Sequence, residues 1–190
     1  MTASIDGRRL ERAEILNILY LLVIAGLDTV AATLSCMFAW LAQHPEEQAA
    51  LVAEPERVPR AVEELLRTES PVMYGSRYVT EPFEVNGWSF AAGEWVDVLW
   101  AAANMDDDAF PDPLEVNLDR PRVAHLEFAS GPHRCLGSNL ARMELITALD
   151  QFHRRIPSYR VTPGQQPTYT AFGVRTAHVL PLSFDRRELA

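Results

Sequence analysis

The sequence predicts a mainly α protein with small β-sheets. Three observations carry that prediction. Ile15 to Leu41 is a largely apolar run, far longer than a strand. A second helical stretch, from about Leu136 to Arg155, is closed by Pro157. Between them lie short β-prone segments separated by tight-turn signals such as Asn86-Gly87.

The elements follow in order. Asp6-Gly7 marks a turn. From about Leu10 to Gln43 the pattern is helical, and His44-Pro45 ends it, because a residue before proline is pushed out of the helical region. Pro45 suits the first position of a second helix, reaching about Ala53. A third helix spans Val58 to Thr68 and stops before Ser70-Pro71. Arg77 to Thr80, Phe83 to Val85 and Trp88 to Phe90 read as strands, the last two joined by Asn86-Gly87. A turn at Ala91 to Glu94 leads to a strand from Trp95 to Leu99, and Ala101 to Asn104 is a short helix. Pro111-Asp112-Pro113 and Pro121 punctuate an irregular segment that reaches Glu127. Long irregular segments inside compact folds usually serve function. Tyr159 to Val161 and Val174 to Leu182 suggest terminal strands.

The chain has 190 residues, is 48% hydrophobic and 23% charged, and so carries enough apolar matter for one core. A net charge of -9 argues against nucleic-acid binding. With only 2 cysteines, Cys36 in an apolar helix and Cys135 in a loop, a disulfide framework is not expected. A reducing cytoplasm is the expected compartment, and the polar stretch Met1 to Glu14 is not expected to act as a signal peptide. The Ile15 to Leu41 run meets the length of a membrane span, but Asn17, Asp28, Thr29, Thr33 and Ser35 interrupt it. An Asp near the centre of a span costs about 2.5–3.5 kcal/mol on insertion scales. A long helix buried in a soluble protein is therefore expected, with no membrane partner.

The stretch Phe128-Ala129-Ser130-Gly131-Pro132-His133-Arg134-Cys135-Leu136-Gly137 carries the most chemistry. It sets one thiol between glycines, just before a helix expected to start near Leu136. A helix N-terminus favours negative charge and so favours a thiolate. Gly131 and Gly137 carry no Cβ and let backbone approach a bulky partner. Phe128 can lie on a flat apolar ligand, and His133 and Arg134 can reach anionic groups. The pattern reads as a socket for a planar, metal-bearing cofactor with one sulfur ligand. A buried structural Cys is one alternative. A zinc site of His125, His133 and Cys135 is another, but it has no convincing fourth ligand.

The pattern F-x-x-G-x-H-x-C-x-G resembles the haem-binding loop of the cytochrome P-450 family. Further segments resemble that family in the right order. Ala25-Gly26-Leu27-Asp28-Thr29 is similar to the A-G-x-D-T segment of its long central helix. There an acid–alcohol pair handles dioxygen activation, which implies catalytic roles for Asp28 and Thr29. Taken alone, the same residues fit a Thr bonded back to a helix carbonyl and an Asp paired with an Arg. Glu64-Leu65-Leu66-Arg67 resembles the family's E-x-x-R helix, which implies a structural pair that supports the Cys loop. By spacing alone it is an ordinary i, i+3 ion pair. Arg77 follows Ser70-Pro71-Val72 and is similar to a haem-propionate ligand, as is His133, although an exposed strand arginine is equally ordinary. Leu140-Ala141-Arg142-Met143-Glu144 also matches the family spacing, as do Ala102-Ala103-Asn104-Met105 and Phe110-Pro111-Asp112-Pro113. Ala129 is a departure, since the family often has Gly there.

The resemblance implies a single partial domain over residues 1–190 with the fold of the C-terminal half of a cytochrome P-450. That half comprises the long central helix, the E-x-x-R helix, the irregular meander, the Cys loop and the helix after it. It implies haem b (iron protoporphyrin IX) held by Cys135 as metal ligand. Ala25, Gly26, Val72, Arg77, Phe128, Gly131, His133, Gly137 and Ala141 would lie around it. It implies a bacterial soluble monooxygenase acting on a small hydrophobic substrate, terpenoid-like or aromatic. Electrons would come from NAD(P)H through a ferredoxin or flavoprotein reductase that meets the Cys-loop face at Arg134 and Arg142. Met1-Thr2-Ala3-Ser4 reads like the interior of a longer protein, so the N-terminal half is an expected partner. Without that half, the long helix should expose an apolar face. The alternative is a non-catalytic haem-binding or interaction module.

Overall fold

The computed structural model describes residues 4–121 and 124–184. Part of the Met1-Thr2-Ala3-Ser4 stretch, two positions of the irregular segment and the end of the expected 1–190 domain lie outside the described residues. A small hairpin, β1 (Ser4–Ile5) and β2 (Arg8–Arg9), opens the fold. Asp6 and Gly7 both take positive φ at its tip, as a tight hairpin turn requires. The turn at Asp6-Gly7 was legible, but the strands flanking it are too short to announce themselves.

Helix α1 (Arg12–Leu41) starts where the Glu14 carboxylate accepts the Glu11 amide at 2.8 Å. Its C-terminal part is core: Ala32, Thr33, Cys36, Met37, Ala39 and Leu41 are buried. α2 (Pro45–Ala53), α3 (Val58–Glu69) and α5 (Ser138–Arg155) pack around this part. Leu51, Val62, Leu65, Leu145 and Leu149 fill the space between them. The N-terminal part of α1 is different. Leu19, Tyr20, Leu21, Val23, Ile24 and Leu27 are exposed, Leu27 by 77%. The expectation of a buried helix therefore holds only from Ala32 onward, because the elements packed on α1 reach only that part. The helix is long and apolar enough to cross a membrane by length and composition.

α3 is amphipathic, with Val58, Ala61, Val62, Leu65 and Leu66 turned inward. It ends at Ser70, which takes the left-handed backbone at φ 35°. The Ser70 hydroxyl donates to Arg67 O at 2.7 Å and holds that ending in place. β3 (Gly75–Tyr78) pairs antiparallel with β6 (Trp95–Val98), and Arg77 faces Val96 in register. β4 (Phe83–Val85) and β5 (Trp88–Phe90) form the hairpin closed by Asn86 and Gly87, both at positive φ. α4 (Trp100–Ala103) leads into the irregular segment. Near the C-terminus β7 (Tyr159–Val161) pairs with β10 (Leu182–Phe184), and β8 (Thr168–Phe172) pairs with β9 (Val174–Val179). The expected strand from Val174 to Leu182 is thus divided between β9 and β10. β9 lies on α1, where the Ser35 and Thr176 hydroxyls meet at 3.0 Å.

The irregular segment is held by charge. Arg67, 1% exposed, donates to both Glu64 carboxylate oxygens at 3.0 and 2.8 Å. It also donates to the carbonyls of Asn104 (2.8 Å), Pro113 (2.8 Å) and Glu115 (3.2 Å). Glu64 accepts from the Asn117 amide and from Arg120 Nε, each at 3.0 Å. Burial pushes the Glu64 carboxyl up, but the bonds from Arg67, the Asn117 amide and Arg120 outweigh it and leave it below its usual range. Removing one member of a buried pair strands the other charge and costs about 3–5 kcal/mol. Glu64→Ala is therefore expected to lose about that much stability, read from the denaturant midpoint at constant slope. A loss below about 1 kcal/mol would mean the pair behaves as an exposed one.

Candidate functional site

Cys135 sits on a loop tied at its base. The Cys135 amide donates to Phe128 O at 2.9 Å, the Arg134 amide to Gly131 O at 3.0 Å and the Ala129 amide to Leu126 O at 2.8 Å. Residues Gly131–His133 form a single 3-10 turn, and α5 begins at Ser138 with Gly137 as its cap. The helix expected near Leu136 thus starts later. Leu136 stands 89% exposed in the loop. Gly131 takes φ 65°, a backbone closed to most side chains, and a Cβ there would point into open space. A Cβ at Gly137 would come within 3.9 Å of Cys135 Sγ. Ala129 also takes positive φ, at 53°. The position needs a left-handed backbone, which explains why glycine suits it better than the alanine present.

The loop is buttressed from α5 and α3. Arg142 donates to Glu63 through Nε (2.6 Å) and Nη2 (3.0 Å), and its guanidinium lies 4.4 Å from the Phe128 ring centre. His125 Nε2 lies 3.2 Å from the same Glu63 carboxylate. Burial would raise the Glu63 carboxyl, but its bonds with His125 and Arg142 hold it at about 2. Arg142 is therefore not a free charge for a redox partner, as its position suggested. It is bound between Glu63 and Phe128, because its long side chain lies along the buried base of the loop. His125 likewise turns to Glu63, and among the described residues no group of three or more His, Cys, Asp or Glu could hold a metal ion. Arg134 and His133 are exposed, and neither forms a salt bridge among the described residues.

On α1, Ala25, Gly26 and Asp28 are exposed, and Gly26 has no atom within 4 Å of an added Cβ. Thr29 Oγ1 donates to Ala25 O at 2.8 Å, the back-bond open to any helical threonine. Asp28 has no salt bridge among the described residues. Val72 forms an isolated bridge with Val174. Arg77 stands 6.0 Å from the Trp100 ring centre and donates to Ser76 O at 2.9 Å. Ala141 lies in the first turns of α5, its amide donating to Gly137 O at 2.8 Å.

Some structural partners escaped the sequence. Asn104, fully buried, donates through Nδ2 to Ser70 Oγ at 2.9 Å and accepts the Leu126 amide at 2.7 Å. It links the end of α3 to the base of the Cys loop. Glu127 is a buried acid between Leu126 and Phe128. Its only signal was a charge inside an apolar alternation. Glu63 gave none, because its partners lie 79 and 62 residues away.

Residues 1–170 match the family described as Cytochrome P450. The chain belongs to the cytochrome P450 family. Cytochrome P450 105A3 of Streptomyces carbophilus is 39% identical over 170 residues, covering 88% of this chain and 42% of that protein. A methyl-branched lipid omega-hydroxylase of Mycobacterium tuberculosis H37Rv is 35% identical over 181 residues, covering 93% of this chain and 42% of that protein. The solved structure of the Bacillus subtilis 168 bacillaene polyketide synthase cytochrome P450 PksS superposes with TM-score 0.90 at 34% identity, over 97% of this chain and 48% of that one. The mixed fold of helices and small sheets is thus the cytochrome P450 fold over less than half the length of these relatives.

Two outcomes test the loop's construction. Ala129→Gly removes a left-handed alanine that costs about 1–2 kcal/mol, against about 0.5–1 kcal/mol of added chain freedom. The variant is expected to be more stable by up to about 1.5 kcal/mol in denaturant unfolding, and a lower midpoint would contradict the strained-alanine account. Glu63 has a depressed folded pKa, so its stabilising share is present above its usual 4.5 and is lost as pH falls toward about 2. Glu63→Gln should therefore flatten the acid limb of the stability–pH profile over that range. An unchanged acid limb would show that Glu63 does not carry it.

Proposed function

We propose that this chain binds haem b through the Cys135 thiolate and belongs to a monooxygenase that inserts one oxygen atom from dioxygen into a small hydrophobic substrate. The observation that supports it most is an exposed thiol on a glycine-bracketed, backbone-tethered loop in a cytochrome P450 chain. A flat macrocycle suits these residues. The Cys135 thiol has no hydrogen bond among the described residues, and open space lies where Gly131 and Gly26 lack a Cβ.

Haem, when bound, supplies the iron at which dioxygen is reduced. The residues around it divide the remaining work. Cys135 is the iron ligand, and Phe128, Gly131, Gly137 and Ala141 shape its surroundings. Arg77 and His133 pair with the two propionates. Ala25 and Gly26 leave room along α1, and Val72 borders the substrate side. Thr29, whose hydroxyl already holds one hydrogen bond, and Asp28, open to water, pass protons toward the substrate side. Glu64 and Arg67 act structurally, by holding the meander beneath the loop. Electrons come from NAD(P)H through a ferredoxin or flavoprotein reductase, with Arg134 the exposed cation on the loop.

The name of one relative, a methyl-branched lipid omega-hydroxylase, supports a hydrophobic substrate, and a terpenoid-like or aromatic compound is the class proposed. The exposed face of α1 supports the alternative of an interaction module. It fits a protein partner better than lipid, because Asp28 lies on it. A cytoplasmic location belongs to this proposal.

Reconstitution with haem, reduction and addition of carbon monoxide is the test. The strongly red-shifted Soret band of thiolate ligation is expected from the parent chain and should vanish in Cys135→Ala. A histidine-type spectrum from the parent chain would overturn the proposal.

A further inference from the structure

Glu127 is 6% exposed, yet it is an acid at the base of the Cys loop. Its neighbours on both sides are fixed through their backbones. The Leu126 amide donates to Asn104 Oδ1 at 2.7 Å, and Phe128 O accepts the Cys135 amide at 2.9 Å. The Glu127 side chain instead leaves the loop, and its Oε1 accepts the Val72 amide at 3.0 Å. Val72 belongs to the segment that follows α3 and runs on to Arg77. The carboxyl therefore spans the two segments that carry Cys135 and Arg77. Its second oxygen, Oε2, is buried with no hydrogen-bond partner among the described residues. The nearby Ser70 hydroxyl has one proton and gives it to Arg67 O at 2.7 Å. While Ser70 keeps its bond to Arg67 O, an ionised carboxylate would leave charge on an oxygen with no donor, whereas a neutral acid keeps the Val72 bond without that cost.

We propose that Glu127 is a positioning residue, a buried carboxyl tether that fixes the Cys135 loop against the Val72 segment. The tether stands on this chain's own contacts, and its consequence for the spacing of Cys135 and Arg77 around haem rests on the function proposed above. The tether is also sensitive to pH. Burial pushes the Glu127 carboxyl up to about 8, against the pull of the Val72 amide and of the nearby Ser70 hydroxyl. A raised folded pKa makes the tether fully effective below the usual 4.5 and progressively weaker as pH rises to about 8. Beyond that the effect levels off. Among the described residues, the charged or titratable groups on the elements packed against it include His125, whose Nδ1 accepts the Glu127 amide at 3.3 Å, Arg67, whose carbonyl accepts the Ser70 hydroxyl, and the Glu69–Arg175 pair at 2.7 Å, whose Arg175 amide donates to Pro71 O. All of them are kept in the variants below.

The experiment is amide hydrogen exchange at Val72 and Cys135 in the full chain without haem, corrected for intrinsic exchange, from about pH 5 to about 9. In the parent, local opening should rise by up to about tenfold per pH unit and level off near pH 8. Glu127→Gln keeps an acceptor for Val72 but cannot ionise, so protection should persist without that slope. Glu127→Ala should lose protection at Val72 at every pH. The same slope in parent and Glu127→Gln, or full protection in Glu127→Ala, would overturn the tether. Should Glu127→Ala not fold, the comparison of parent with Glu127→Gln still decides. Because haem is absent, a failed tether is distinguishable from a failed haem-thiolate assignment, which the carbon monoxide spectrum reads.

Discussion

The buried Glu64–Arg67 pair is the constraint on which the rest of the structure depends. Between α4 and α5 the chain makes little regular secondary structure, so its backbone carbonyls and amides lack the repeating partners of a helix or sheet. One guanidinium supplies donors to three of those carbonyls, and one carboxylate collects an amide and a second arginine. The dependence is mutual. Charges this deeply buried persist only when their remaining hydrogen-bonding capacity is met, and the irregular segment meets it. A hydrophobic pair of equal volume could fill the space, but it could not order the segment.

From that pair the order passes to the Cys loop along a short polar route. Arg67 holds the Asn104 carbonyl, the Asn104 side chain holds the Leu126 amide, and the Leu126 and Phe128 carbonyls close the base of the loop. A second system, Glu63 with Arg142 and His125, supports the other side of Phe128. The loop above these supports carries the backbone strain of Ala129 and presents an exposed thiol. A rigid base under an open, glycine-lined loop is what a bulky ligand needs in order to bind without reordering the chain. The exposed part of α1 presents the same contrast at larger scale. One end of the helix is core, and the other is an exposed apolar surface.

Much of this was written in local signals. Pro45 at a helix start and Asn86-Gly87 at a hairpin are physical commands to the backbone, and α2, β4 and β5 fall where those signals put them. The Cys loop was legible because glycines, a proline and a thiol crowd into a few positions. What stayed hidden depends on distance or on exposure. β8 is exposed along its length and turns into β9 through the single Gly173, so neither alternation nor a two-residue turn signal marks it. The helix expected near Leu136 starts later, at Ser138, and Leu136 is exposed in the loop before it. Glu63 and Glu127 are set by partners far along the chain, which no local pattern encodes.

Amide hydrogen exchange of the Arg67→Met chain tests most directly whether the pair governs the Cys loop. The substitution fills similar volume but donates nothing to Asn104, Pro113 or Glu115. Protection at the Ala129 and Cys135 amides should fall sharply, while the β8–β9 hairpin, which shares none of these bonds, keeps its own. Unchanged protection at Ala129 and Cys135 in a folded Arg67→Met chain would contradict the account, because the loop would then stand without the pair beneath it.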